Sequence, residues 1–469
     1  MSASFRARKF VQASRGAAPR QIALNAGISR PANCITLLTG PNAVGKSRTL
    51  ADIAEIFAIA DHAKPRPGFA ASFEYSLGDT RCTLSFDGRQ LLATRNGRAI
   101  SAEKLPGPTR VVAVTTSAFD RFRLPMQRTR DERYRYLGLK DSRGRISATA
   151  GVYRSLEELF DRSDDNSSHR SRIGSVFRDL GFEARVEVLF SWTSRGRAFA
   201  SGAELDSRLD QETRQVRQFA RSMPDTASDE ELRSAARLLD SSAFEEKAML
   251  FADFDRPHSY GSEHFQAMRA LRRAGMVRTS GVMLERLETG QRLDIQDASS
   301  GQLSLVSSLL GIASAIDDNS LILIDEPEIS LHPAWQSTYV DKLMQMFAAF
   351  RGCHFLVATH SPLVASGMEE HDGNLVSLET DRLSVDELHG STDETLVRAF
   401  GVSTSGNLYM KQLLVKVLRM VSGGEYNSDE FDAAMLELRQ SASARGVAKE
   451  VKEIIADITA SVAKARNKA

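Results

Sequence analysis

The sequence predicts an α/β fold: a parallel core sheet with an antiparallel β subdomain, a mostly helical insertion and a helical C-terminal tail. Three observations carry that prediction. Gly40-Pro41-Asn42-Ala43-Val44-Gly45-Lys46-Ser47 follows an apolar, β-branched run at Ile35 to Thr39 and precedes a helical pattern from about Ser47 to Ile59. Leu321-Ile-Leu-Ile324 is a second continuous apolar run, the mark of a strand buried on both faces, and it ends in Asp325-Glu326. Between them, residues 68–115 alternate apolar and polar around Gly78-Asp79 and Asp87-Gly88, two hairpin signals. Phe73, Tyr75 and Leu77, then Cys82, Leu84 and Phe86, line one face of that antiparallel unit.

Residues 40–47 fit G-x-x-x-x-G-K-[ST] at every fixed position. Gly40 and Gly45 free the backbone to curl, so that successive N–H groups point at phosphate oxygens. In that pattern Lys46 reaches the β- and γ-phosphates and the Ser47 hydroxyl ligates Mg²⁺. The helix that opens at Ser47 and Arg48 turns its positive end to the same anion. A chance glycine-rich turn is the competing reading, and the strand before and helix after disfavour it.

Asp325 falls at the carboxyl end of its strand, where ligands bind in open α/β sheets. There it can hold a Mg²⁺ shell, while Glu326 polarises an attacking water. Phosphoryl transfer asks mostly for positioning and charge neutralisation, so two carboxylates with these separate roles suffice. Taken alone, the pair could equally be two solvated acids at a strand end.

Upstream, Asp297-Ala-Ser-Ser-Gly-Gln-Leu-Ser304 opens a helix that runs through about Ile316, with Leu303, Val306, Leu309, Leu310 and Ala313 at helical spacing. Ser299, Ser300, Gly301 and Gln302 at its N-terminus form a second anion site. One chain cannot easily aim two such sites at one γ-phosphate. A homodimer in which each cap closes the other subunit's nucleotide solves the problem.

The order of these fragments resembles an ABC-type ATPase head of the soluble, SMC-like branch. That branch includes chromosome-maintenance, break-repair and prokaryotic defence ATPases, among them OLD-like proteins. Asp325-Glu-Pro-Glu-Ile-Ser-Leu-His-Pro333 resembles it in particular. The resemblance implies ATP and Mg²⁺ as ligands, with Glu326 and His360 catalytic and Ser299 acting in trans. It implies a D-loop at Ile329 to His332. It also implies that Phe355-Leu-Val-Ala-Thr-His360 is the last core strand, delivering a switch histidine. A His before Ser-Pro could instead simply cap a turn. A neutral imidazole at 360 would serve as the γ-phosphate donor.

Departures from the family pattern are plain. Ala298 and Ser300 replace the usual Leu and Gly of the signature. No glutamine loop follows Arg110 to Val114, where Thr115, Thr116 and Ser117 stand; Gln127 is the nearest candidate. The adenine-stacking residue is unassigned, and the basic segment Phe5 to Phe10 is one place for it.

The organisation expected is an ATPase lobe at 1–117, a mostly helical insertion at 118–285, a second lobe part at 286–388 and a helical region at 389–469. In the insertion, helices are expected at Ser155 to Asp161, Asp229 to Leu239 and Glu263 to Ala274, and a strand at Ala184 to Trp192. Gly144, Gly151, Gly174, Gly181, Pro224 and Pro257 break it, and no sustained heptad appears, which excludes a chromosome-scale coiled coil. Short strands are expected at Leu375 to Leu378 and Arg382 to Val385, and a helix from Glu394 to Phe400. Tyr409 to Met420, Asp429 to Leu438 and Val447 to Val462 read as amphipathic helices, the last burying Val451, Ile454, Ile455, Ile458 and Val462. No nuclease signature is found in the tail, which is either a packing lid or a docking platform.

The 469 residues are 42% hydrophobic and 26% charged, an ordinary globular balance. No apolar run of about 18 residues occurs, so no membrane span is expected. Cys34, Cys82 and Cys353 fall in or beside strands without metal-ligand spacing, and are read as reduced core residues of a cytoplasmic protein. Net charge is only +1, but Arg121, Arg123, Arg128, Arg130, Arg133, Arg135, Lys140, Arg143 and Arg145 crowd one stretch with Phe119, Phe122, Tyr134 and Tyr136. Such a stretch can track a nucleic-acid backbone, or form a salt-bridged arm. Arg269, Arg272, Arg273 and Arg278 form a smaller cluster.

Three functions follow. One is the ATPase and sensor subunit of an anti-phage defence system that controls a separate effector such as a nuclease. The alternative is an SMC-like ATPase of DNA repair or recombination. A third is a nucleotide-gated scaffold, which Glu326 argues against.

Overall fold

The computed structural model describes residues 4–14, 17–24, 32–124, 133–140, 167–194, 196, 232, 234–235, 247–255, 267–268, 270–271, 274, 276–295, 297–298, 300–329, 331–366, 368, 373–378, 408–442, 447 and 449–466. The chain opens with β1 (Phe5–Ser14), β2 (Ala17–Ala23), β3 (Cys34–Thr39) and α1 (Lys46–Ala60). Strands β4 (Ala71–Leu77), β5 (Thr80–Phe86), β6 (Leu91–Arg95), β7 (Arg98–Ile100), β8 (Val111–Thr115) and β9 (Tyr134–Leu137) follow. Next come α2 (Ser167–Asp179), β10 (Phe182–Trp192), β11 (Lys247–Asp253), β12 (Val277–Arg286), β13 (Arg292–Asp294) and α3 (Ser300–Ala315). The chain continues through β14 (Leu321–Asp325), α4 (Pro333–Ser337), α5 (Tyr339–Met346), β15 (His354–Ala358), α6 (Pro362–Ser366) and β16 (Gly373–Ser377). It closes with α7 (Leu408–Ser422), α8 (Asp429–Ala442) and α9 (Lys449–Arg466).

The core sheet has the order β16-β3-β15-β14-β8-β9, every pair parallel. Its strands are apolar on both faces because both faces are covered. Leu356 and Ala358 of β15, Leu321 and Leu323 of β14, and Val111 and Ala113 of β8 point to the layer of α1 and the antiparallel sheet. Phe355, Val357, Ile322, Ile324, Val112 and Val114 point the other way, to α3 and α5. Full burial of each such Leu, Ile, Val or Phe side chain contributes about 1.5–3 kcal/mol. The sequence expects the strand before His360 to end the core. Instead β15 lies inside the sheet between β3 and β14, and β16 adds the far edge.

The antiparallel sheet has the order β2-β1-β4-β5-β6-β7. Gly78 and Gly88, at φ +57° and +99°, make the two expected turns. Asn96-Gly97, with both φ positive, makes a further hairpin that joins β6 to β7. Phe5 and Phe10 of β1 are fully buried against Tyr75 and Phe73. That corrects the expectation for this segment: neither ring can stack on a base.

Fully buried His354 ties β1 to the core sheet. Its Nδ1 accepts from the Ala7 N–H at 2.9 Å, and Nε2 lies 2.9 Å from Thr36 Oγ1, which itself donates to Leu24 O. Those partners require a neutral ring with its proton on Nε2, and burial holds its pKa well below the ordinary value. Arg6, also buried, donates to the Phe5, Cys353 and Ala32 carbonyls.

A third sheet, β11-β10-β12-β13, is formed by the described residues from Phe182 to Asp294, and β9 joins the core sheet, so the described part of the insertion is largely strand where mostly helix was expected. In β10, Phe182, Ala184, Val186, Val188, Phe190 and Trp192 alternate into its core with Ile173 and Phe177 of α2. The strand expected from Ala184 is therefore present and slightly longer. Ser155 to Asp161 lies outside the described residues, as do Arg382 to Val385 and Glu394 to Phe400. Only fragments of 229–239 and 263–274 are described. The α7, α8 and α9 helices pack on a cluster of their own that includes Val417, Phe431, Leu438, Ile455, Ile458 and Val462. Ile454 is not part of it: the side chain is exposed, because the 451–455–458–462 stripe faces inward and 454 lies off it. The three cysteines are buried, and no disulfide joins them.

Candidate functional site

Strand register assembles the site. Asp325 is level with Ala358 of β15 and with Thr115 of β8, and Ala358 is level with Leu38 of β3. The chain leaves these strands in the same direction, so residues 39–47, 116–117, 326–328 and 359–360 meet at one end of the sheet. With β15 between them, β3 and β14 stand two inter-strand spacings apart, about 10 Å. That gap separates the glycine loop from the paired carboxylates.

In the loop, Gly40, Ala43 and Gly45 have φ of +133°, +65° and +104°. A Cβ at 40 or 45 would be strained in these conformations. Pro41, Asn42 and Ala43 are exposed, and Val44 is half-buried. Lys46 is buried, its Nζ donating to Gly40 O at 2.7 Å and Pro41 O at 3.2 Å. Burial lowers its pKa, opposed by Glu326, Glu328 and Asp325. Arg48 instead leans back along α1, 3.7 Å from Asp52, on the exposed side of the helix. Arg20 of β2 donates to Val44 O at 2.7 Å and braces the loop from outside.

Asp325 is buried, and one carboxylate oxygen, Oδ1, has no hydrogen-bond partner among the described residues. Burial pushes its pKa up to about 7, against a hydrogen bond from Ser47 and with help from Glu326, Asp120 and Glu328. A carboxylate so placed, bonded to a hydroxyl and missing one partner, fits a Mg²⁺ ion. Among the described residues no cluster of three or more His, Cys, Asp or Glu side chains could hold a metal by itself. Mg²⁺ suits such a site, since it commonly takes few carboxylates and completes its shell with water and phosphate oxygens.

Glu326 follows, half-buried, with φ +51°. His360 Nδ1 lies 4.0 Å from its carboxylate and 2.9 Å from that of Glu328. Glu328 was not among the expected site residues. It is 5% exposed, and its Oε1 also accepts the His360 N–H at 2.7 Å. Despite burial, its pKa stays below the ordinary value because His360 bonds it twice. His360 is raised in turn, by the bond to Glu328 first. The sequence signal was the third acid of Asp325-Glu-Pro-Glu328, but hydropathy does not say that an acid after a strand end is buried.

An ionised Glu328 accepts only, so His360 Nδ1 must donate to it. A neutral ring then has a bare Nε2. Donation from Nε2 to an anion requires the doubly protonated ring, which corrects the expectation of a neutral imidazole. Nor does His360 merely cap a turn; Ser361 does that, its Oγ accepting from Val364 N and donating to Gln336 Oε1 at 2.7 Å.

Ser300 and Gly301 open α3, with Gln302 in its first turn. Ser299 lies outside the described residues, as does Gln127. The described residues of the basic, aromatic stretch are largely engaged within the chain. Arg123 donates to Glu55 and to Lys64 O, Arg133 pairs with Asp61, and Lys140 pairs with Asp120. Phe122, Tyr134 and Tyr136 are buried, leaving Phe119, 89% exposed, and Arg121 facing solvent. Arg278 donates to Ser191. Arg128, Arg130, Arg143, Arg145, Arg269, Arg272 and Arg273 lie outside the described residues. No described helix is long and apolar enough to cross a membrane.

Part of the chain is similar to "Retron Vc95 probable ATPase" of Vibrio cholerae serotype O1 biovar El Tor, 31% identical over 98 residues, 19% of this chain and 18% of the relative. It is also similar to "Protein ea59" of Escherichia phage lambda, 35% identical over 66 residues, 14% and 12% of the two chains. "Retron Ec83 probable ATPase" of Escherichia coli is 26% identical over 91 residues, 17% and 16%. The matched part spans less than a fifth of each of these relatives. Among solved structures, the SMC head bound to the C-terminal winged helix domain of ScpA aligns at TM-score 0.36 and 10% identity, covering 79% of this chain and 93% of that one. Stu0660 of Streptococcus thermophilus aligns at TM-score 0.35 and 9% identity, covering 96% and 92%. Residues 35–366, which hold the glycine loop, the paired carboxylates and His360, match one family throughout. The chain therefore belongs to the ATPase family described as "AAA domain, putative AbiEii toxin, Type IV TA system".

Proposed function

We propose that this protein binds ATP with Mg²⁺ and hydrolyses it, as a nucleotide-gated dimeric switch. One observation carries the reading: register brings Lys46, Ser47, Asp325, Glu326 and His360 to one end of one sheet. Lys46 supplies the buried cation for the β- and γ-phosphates. Ser47 and Asp325 hold Mg²⁺, which when bound neutralises charge on the phosphates. Glu326 orients the attacking water. Protonated His360, held by Glu328, offers Nε2–H to the γ-phosphate. Such positioning and charge neutralisation is what phosphoryl transfer asks of a protein.

Ser299, Ser300, Gly301 and Gln302 of a second copy close over the nucleotide in this proposal, so neither copy turns over alone. Hydrolysis releases that closure and moves the insertion and tail, a two-state element biased by γ-phosphate contacts. The names of the retron relatives support a defence role for the ATPase, with a separate effector such as a nuclease as its partner. The internal pairing of Arg123, Arg133 and Lys140 removes part of the support for direct nucleic-acid binding.

The test measures ATP turnover and oligomeric state for wild type, Lys46→Ala, Glu326→Gln and Ser299→Arg. Lys46→Ala is expected to lose nucleotide binding. Glu326→Gln is expected to keep ATP and remain paired without turnover. Ser299→Arg is expected to bind ATP without pairing. Full turnover by a strictly monomeric protein would sink the shared site.

A further inference from the structure

Glu326 holds a backbone conformation that its own residue type resists. Its φ of +51° lies in the left-handed region, where a non-glycine residue is strained, and the following Pro327 narrows its freedom further. Such a conformation persists only where the surroundings over-determine it. Here two hydrogen bonds do so. The Glu326 N–H donates to Ala358 O at 2.9 Å, from β15. The Glu326 carbonyl accepts from Thr116 Oγ1 at 3.1 Å, from the residue just beyond β8. These partners flank β14 on its two sides.

Thr116 is brought there by register and by a local turn. Thr115 is level with Asp325, and the Ser117 N–H donates back to Thr115 Oγ1 at 3.0 Å. This is the stretch where a glutamine loop was expected and hydroxyl residues stand.

We propose that Thr116 is the positioning residue for Glu326. Its hydroxyl fixes the Glu326 carbonyl, and with it the direction in which the strained backbone throws the carboxylate. The inference rests on the reading of Glu326 as the group that orients the attacking water. A misdirected carboxylate leaves phosphate and metal contacts in place and costs the chemical step alone. Thr116 therefore belongs to kcat and not to nucleotide affinity.

The experiment compares ATP turnover, KM and direct ATP binding for wild type, Thr116→Val, Thr116→Ser and Glu326→Gln. Valine keeps the branched shape and removes the donor; serine restores the donor. Thr116→Val is expected to lower kcat about tenfold with KM and ATP affinity within about twofold, and Thr116→Ser to recover most of the rate. Retained ATP binding shows that Thr116→Val is folded; if it loses binding, Thr116→Ala takes its place with the same expectations. Unchanged kcat in the folded variant overturns the proposal, as does an equal loss in Thr116→Val and Thr116→Ser. Undiminished turnover in Glu326→Gln would instead overturn the underlying role of Glu326.

Discussion

Glu328 Oε1 accepts two hydrogen bonds from His360, one from Nδ1 at 2.9 Å and one from the backbone N–H at 2.7 Å. A single buried carboxylate oxygen thus sets both the ring and the chain direction of His360. It also fixes Nδ1 as a donor, so that Nε2 can donate only in the imidazolium.

That arrangement predicts an alkaline limb in turnover. Glu328 raises the pKa of His360, so the donor Nε2–H is present at low pH and lost as pH rises through the raised value. In Glu328→Gln the limb should move to lower pH, with kcat at neutral pH down about tenfold and KM little changed. A kcat–pH profile of both proteins checks it; superimposable limbs would remove Glu328 from this role.

Stability should follow the same pair. His360 is raised, so its contribution is full below its ordinary 6.5 and fades as pH climbs through the folded value. Glu328 is lowered, so its contribution is present above its ordinary 4.5 and fades in acid below that. The melting-temperature gap between wild type and Glu328→Gln should therefore be widest between about pH 4.5 and 6.5 and narrow above it. A gap that widens steadily into alkali would contradict the pairing.

Asp325 makes the opposite prediction. Burial first, then neighbouring carboxylates, raise it to about 7, so ionising it costs the folded state as pH rises from 3.8 towards that value. Without nucleotide, Asp325→Asn should melt a few degrees higher than wild type at pH 8, with the advantage gone near pH 4. The same variant should lose Mg²⁺-dependent ATP binding. In wild type that binding should strengthen as pH rises through 7, since metal and proton compete for one carboxylate. Calorimetry with and without Mg²⁺ reads both effects.

Behind the glycine loop, fully buried Glu55 of α1 takes Arg66 at 3.4 Å and Arg123 at 3.1 Å. Without Glu55, Arg66 keeps Asp52 at 2.6 Å and Arg123 keeps the Lys64 carbonyl at 2.6 Å, so Glu55→Ala is expected to cost about 2 kcal/mol in denaturant unfolding, below the loss for a fully stranded buried charge. A loss under about 0.5 kcal/mol would show that the arginines find water instead.

Local pattern made much of this protein legible. The glycine loop needs only its own residues and its flanking strand and helix. The β14 run announces a two-sided burial, and the hairpins at Gly78 and Gly88 announce their turns. Misreadings came where a side chain's neighbours are far away in sequence. Phe5 and Phe10 look like an aromatic, basic segment until β1 pairs with β4 and buries both rings. Ile454 fits an apolar face until the cluster of α7, α8 and α9 selects a narrower stripe. Arg123 reads as a free surface cation until α1 presents Glu55 to it.

By itself, the sequence determined which groups are available: a phosphate loop, a carboxylate pair at a strand end, a serine-rich helix start and a histidine after a strand. Only the tertiary structure decided what each group faces. Strand order and register bring Thr116 to a carbonyl 210 positions away, and His360 to an acid 32 positions away. The physical reason is that a parallel sheet joins strands through long crossovers, so which loops meet depends on packing of the whole sheet and not on any local preference.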